Sequence, residues 1–85
     1  MEVEIKVISQ KGVCAAGLKK GDRFIYKNNL IPPNICSTAI VAMFPHIKTL
    51  RYGGKVHWSE KDGSLLMACP DPKNPVVFSI RAIEK

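Results

Sequence analysis

Alternating apolar and polar residues predict strands near both ends of the chain. Between residues 2 and 9 the apolar positions are Val3, Ile5 and Val7, with charged residues between them. A period of two is typical of a strand with one face in water. The same alternation recurs over residues 76–83, through Val76, Phe78, Ile80 and Ala82, and more briefly over residues 23–27, through Phe24 and Tyr26. These three segments are predicted strands.

A helical period replaces the alternation in the middle of the chain. The apolar stripe comprises Cys36, Ile40, Met43 and Ile47, flanked by Ala39, Phe44 and Leu50. Asn34 is a candidate N-cap for a helix that begins near Ile35. Pro45 interrupts the stripe and predicts a kink, or a break into two short helices, because proline lacks the amide that the helix needs. The pair Gly53-Gly54 is expected to end the helical region.

The last third of the chain predicts a hairpin followed by an irregular loop. Residues 55–60 and 65–68 are apolar enough for two short strands, and Lys61-Asp62-Gly63-Ser64 between them is typical of a turn. Three prolines in residues 69–75 then exclude regular structure. The sequence therefore predicts one α+β domain over residues 1–85, with an antiparallel or mixed sheet of about five strands covered by one broken helical segment.

Composition favours a folded protein of the cytoplasm. The chain has 85 residues, and 46% of them are hydrophobic. Its longest apolar run is far shorter than a bilayer span, and its acidic start differs from the basic start of a signal peptide. Its three cysteines cannot all pair within one molecule, which argues against a secreted disulfide framework. We expect no membrane association, and thiols that are free or metal-bound.

Positive charge is concentrated in one part of the chain. Between Lys11 and Lys55 there are eight basic residues and one acid, Asp22, a net charge of +7. Such a segment attracts phosphates or other acidic partners if its charges share a face, so nucleic acid is a candidate partner through Lys11–Lys55. The alternative is an ordinary soluble basic surface, because no dense Lys/Arg run or recognised nucleic-acid motif is present.

Three cysteines are the residues that most suggest chemistry: Cys14 in a glycine-rich loop, Cys36 at the predicted helix start, and Cys69 beside a proline-rich loop. Their wide spacing differs from the close pairs of common zinc and iron–sulfur sites. Three readings stay open: packing as small apolar residues, a reactive thiol site, or a zinc or iron–sulfur site. A helix N-terminus would stabilise a thiolate at Cys36. His46 or His57 could complete a tetrahedral zinc site.

An ordered series of short motifs runs along most of the chain. It comprises Cys14-x-x-Gly17, Lys20-Gly21-Asp22-x-Phe24, Cys36-Ser37, Gly53-Gly54, the Trp58 region and Cys69-Pro70-Asp71, leading to Pro75-Val76-Val77-Phe78. The series resembles a family of small uncharacterised bacterial and archaeal proteins of about this length. The resemblance implies that the three cysteine positions belong to the family pattern, whereas the two histidines do not map onto it. It implies no particular activity.

The absence of familiar catalytic patterns argues against an enzyme. The sequence contains no evident catalytic triad, carboxylate pair or phosphate loop. We therefore expect a cytoplasmic interaction or ligand-binding module, and a common site for its cysteines stays one of the open readings. The alternatives are a thiol redox or metal-binding protein that uses Cys14, Cys36 and Cys69, and a basic nucleic-acid-binding module. Exposed strand edges and a small core also favour a homo-oligomer.

Overall fold

Two long strands from opposite ends of the chain form the centre of the sheet. The computed structural model describes residues 1–83. It contains β1 (Glu2–Gln10), β2 (Arg23–Tyr26), α1 (Ser37–Arg51), β3 (Leu65–Ala68) and β4 (Val76–Ile83). The strand order is β2-β1-β4-β3, and every neighbouring pair is antiparallel. The α+β class predicted from the sequence is therefore confirmed.

The helix covers one face of this sheet, and the core lies between them. The alternating apolar residues of β1 and β4 face the helix, and Val3, Ile5, Phe78 and Ile80 are fully buried. The helix contributes its own stripe, consisting of Ala39, Ile40, Met43, Ile47 and Leu50. The period-two and helical patterns thus identified the two surfaces that meet in the core. Among the residues described, no helix is both long and apolar enough to cross a membrane.

The helix begins later than predicted and is not broken at Pro45. Asn34 has a φ of 68°, a left-handed conformation, so α1 begins only at Ser37 and Cys36 occupies the N-cap position. The helix then continues through Pro45 without a break. Pro45 removes the hydrogen bond to the carbonyl of Val41, but both residues are exposed, so water can reach that side of the helix.

The hairpin predicted for residues 55–68 is wrong. Residues 55–60 form turns and loop, and β3 instead pairs with β4. The Asp62 carboxylate accepts hydrogen bonds from the amide and the hydroxyl of Ser64, which fixes the turn before β3. Trp58 lies outside the sheet and packs edge-on against His46 of the helix. Residues 1–83 therefore contain four strands instead of about five.

The second face of the sheet is open and carries ion pairs. Glu4, near the start of β1, accepts hydrogen bonds from Arg23 on β2 and Arg81 on β4. These bonds hold the pKa of the Glu4 carboxyl below its usual value, and the bond from Arg23 has the largest effect. One carboxylate therefore links three neighbouring strands.

Candidate functional site

Three segments that are distant in sequence meet at one cleft. Cys14, Cys36 and Cys69 all line it, and its volume is about 270 Å³. The other lining residues are Ala15, Thr38, Pro70, Asp71, Pro72 and Asn74. Each cysteine is half-buried and free of disulfide bonds. The structure therefore brings the three cysteines, which are far apart in sequence, to the same cleft.

The loop that carries Cys14 is held by its neighbours on both sides. The amide of Gly17 donates to the carbonyl of Cys14 at 2.9 Å, which closes a turn around the cysteine. Leu18, directly after this turn, is buried in the core. On the other side, the amide of Val13 donates to Oδ1 of Asn74 at 2.9 Å. The Cys14 loop is thus attached to the loop that follows Cys69.

The loop that carries Cys69 has a dense hydrogen-bond network of its own. The Cys69 amide donates to the carbonyl of Val76 at 2.9 Å, and the Val76 amide approaches the Cys69 sulfur at 3.4 Å. The Asp71 carboxylate accepts the amides of Lys73 and Asn74, each at 3.1 Å. The amides of Asn74 and Lys73 hold the pKa of Asp71 below its usual value. Asp71 thus organises the loop that forms one wall of the cleft.

Cys36 brings the start of the helix to the cleft. Its carbonyl accepts the amide of Ile40 at 2.9 Å, and it has an extended conformation at the N-cap position. No described side chain caps this end, and the first turn contains no acidic residue. Because Cys36 and Thr38 both line the cleft, the positive end of the helix lies at its edge.

A metal centre does not fit this arrangement. Among residues 1–83, no group of three or more His, Cys, Asp or Glu side chains is placed to hold a metal ion. The lining drawn from that part of the chain also includes neither His46 nor His57. His46 instead lies 5.3 Å from Trp58, measured between ring centroids. The cysteines share a space, but they do not form the compact ligand set that zinc or an iron–sulfur cluster requires.

Some residues of the cleft were not recognised as functional candidates in the sequence. Asn74 connects two of the cysteine loops, and Thr38 joins the cleft to a second, more open groove lined by Ser37, Val41, Ala42 and Pro70. Asparagine between lysine and proline is ordinary loop composition, so the sequence gives no signal for Asn74. A threonine in the first turn of a helix is equally common and reveals nothing of the groove.

Comparisons with known proteins leave the site to be interpreted from its geometry. A scan against protein-family models finds no match, and searches of curated proteins and of solved structures find none either. The resemblance to small bacterial and archaeal proteins therefore stays a prediction.

Proposed function

We propose that the protein is a cytoplasmic, non-enzymatic module that binds a small molecule in the cleft between Cys14, Cys36 and Cys69, with the thiols in contact with the ligand. The observation that carries this proposal is the convergence of three distant segments on one cleft. A reducing cytoplasm would keep the three thiols available.

Partial burial supports a binding role over simple packing. A cysteine that serves only as a small apolar residue is typically enclosed in the core. Here all three are half-buried at the edge of the core, and each lines the cleft. The cleft is concave and largely apolar, with a few polar groups that could orient a ligand, which is the usual composition of a small-molecule site.

The polar groups of the cleft support binding over catalysis. A nucleophilic thiol is usually activated by a neighbouring base such as histidine. No histidine of residues 1–83 lines the cleft, and the carboxylate of Asp71 is occupied by the amides of its own loop. Thr38 is a weak acid, and among residues 1–83 the only carboxylate in the lining is that of Asp71. These groups suit recognition of a bound molecule better than proton transfer to or from it.

Labelling with 2-chloroacetamide tests the proposal. A thiolate sulfur bonds to the methylene carbon of the reagent, and chloride leaves. We expect one adduct to form on the native protein, and the second at least about tenfold more slowly, because the first adduct lies in the cleft and hinders access to the other thiols. Intact-mass spectrometry over time measures both rates.

The denatured protein and single-cysteine variants provide the controls. In guanidinium all three thiols should react at similar rates, because no cleft remains. Cys14→Ser, Cys36→Ser and Cys69→Ser should each still accept one rapid adduct when folded. Three independent adducts at equal rates on the native protein, or no adduct at all, would contradict a shared and accessible cleft.

Thiol redox chemistry is the second candidate, favoured by the same convergence of thiols. Two thiols that approach one another can be oxidised to a disulfide by diamide, which is reduced to its hydrazine. One remaining titratable thiol on a monomeric, folded protein would support this function. Three remaining thiols after the same treatment would leave ligand binding as the only thiol-based proposal.

A further inference from the structure

A second region, consisting of the end of the helix opposite Cys36 and the loop after it, combines positive charge with exposed aromatic side chains. The sequence contains no acidic residue between Asp22 and Glu60. The end of α1 and the loop after it lie in the last third of this stretch. We define the basic aromatic corner as Arg51, Tyr52, Lys55, His57 and Trp58.

Tyr52 offers an aromatic face held in place by cations. The Arg51 guanidinium lies 5.3 Å from the centre of its ring, and the Lys48 ammonium lies 5.7 Å away. Such cation–π contacts restrict the ring while leaving much of its surface open. Tyr52 is 71% exposed. Most of Tyr52 is therefore open to solvent beside two cations.

Trp58 supplies a second aromatic surface in the same loop. Its ring meets His46 edge-on at 5.3 Å, and the residue is 41% exposed. Between the two aromatics, the amide of Gly54 donates to the carbonyl of Thr49 at 2.8 Å, which ties the loop to the helix. A Cβ at Gly54 would lie only 2.7 Å from the Thr49 side chain, so this close approach requires glycine. Lys55 and His57 are exposed beside the aromatic residues.

We propose that the basic aromatic corner binds single-stranded nucleic acid. Lys and Arg attract the phosphate backbone, and exposed aromatic rings stack on unpaired bases of any sequence. A duplex fits less well because its bases are already stacked and paired.

The open face of the sheet is a poorer surface for stacking on bases. The aromatic residues of the strands, Phe24, Tyr26 and Phe78, are paired with Ile5, Val3 and Val7 and so share the helix-facing side.

The charge of the corner is only partly balanced by nearby acids. Asp62 lines a small cleft together with Lys55 and Arg81, so one carboxylate lies close to the corner. The Asp62 oxygen is hydrogen-bonded to Ser64, and Arg81 is paired with Glu4. The corner itself carries two positive charges, on Arg51 and Lys55, and includes no acidic residue. Its field therefore favours an anionic partner.

Fluorescence of Trp58, the only tryptophan of the chain, provides the test. Titration with a short oligothymidylate at about 50 mM salt should quench this fluorescence, and the apparent affinity should fall steeply as salt rises. Tyr52→Ala should weaken binding by about tenfold because one stacking surface is lost. Lys55→Glu should weaken binding and reduce the salt dependence.

Lys20→Glu is the matched control, because it makes the same charge change in the glycine-rich loop away from the corner. It should weaken binding less than Lys55→Glu. Heparin, which has charge but no bases, should bind wild type and Tyr52→Ala equally. Absence of quenching at low salt would overturn the proposal. So would equal effects of the two lysine substitutions, or an unchanged affinity of Tyr52→Ala for the oligonucleotide.

Discussion

Asn74 and Gly12 determine how closely two of the cysteine loops approach each other. The Asn74 side chain reaches across to the amide of Val13 and so occupies the space beside Gly12. Gly12 has a φ of +70°, and a Cβ there would lie 2.2 Å from Oδ1 of Asn74. Glycine is needed at this position for two reasons, its backbone conformation and the lack of room.

Gly12→Ala and Gly17→Ala separate these two reasons. Gly17 has a φ of +77°, but nothing lies within 4 Å of a Cβ built on it. We expect Gly17→Ala to lower the free energy of unfolding by about 1 kcal/mol through backbone strain alone. Gly12→Ala should cost about 1–2 kcal/mol more, because it also displaces Asn74 from Val13. Urea denaturation measures both, and equal losses would show that the Asn74 contact contributes nothing.

At the scale of elements, the sequence predicted the surfaces better than the connections. The alternation in β1 and β4 and the stripe of α1 depend on burial, which leaves a direct record in residue type. The strand predicted at residues 55–60 is wrong because the apolar residues there, Val56 and Trp58, belong to a loop. Trp58 packs on the helix, outside the sheet. Period alone cannot distinguish a short strand from a loop that packs on a helix.

Pro45 is tolerated within α1 at a cost to stability. It leaves the carbonyl of Val41 without its helical partner, while Oγ1 of Thr49 donates to the Pro45 carbonyl at 3.0 Å. Pro45→Ala should raise the free energy of unfolding by about 1–3 kcal/mol, because alanine restores the amide and is the best helix former. Thermal unfolding followed by circular dichroism tests this. Lower stability of the variant would mean that proline suits a distortion of the helix here.

Glu4 provides a pH-dependent link among three strands. Its side chain is 12% exposed, and the two arginines it binds are about half exposed, so we expect Glu4→Gln to cost about 1 kcal/mol at neutral pH. The folded pKa lies below the ordinary value of 4.5, so the ion pairs contribute fully above that pH. The contribution is lost as the pH falls through the folded pKa. The free energies of unfolding of wild type and Glu4→Gln should therefore become equal in acid.

Glu2→Gln is the control for this pH series, because it removes a carboxylate from the same strand. Its difference from wild type should be smaller at neutral pH than that of Glu4→Gln. A stability gap between wild type and Glu4→Gln that persisted unchanged in acid would show that the gap comes from packing and not from charge.

At the scale of the whole molecule, the cleft could not be derived from the sequence. The three cysteines stood out as candidates, but their wide spacing gave no reason to place them together. The bond between Val13 and Asn74 joins positions 61 residues apart, and that convergence depends on the complete sheet. Residue type records burial locally, whereas the meeting of distant loops is a property of topology. The expected homo-oligomer likewise stays a prediction.

The central pairing of β1 with β4 determines when the cleft can exist. Glu2 pairs with Ile83, so the sheet must close almost the whole described chain into one loop before its middle two strands can meet. Such long-range closure is entropically slow compared with forming a helix or a local turn. During synthesis, β1 has to wait for β4 to emerge from the ribosome. Until β4 pairs with β1, the three cysteine loops have no common framework, so the cleft can form only late in folding.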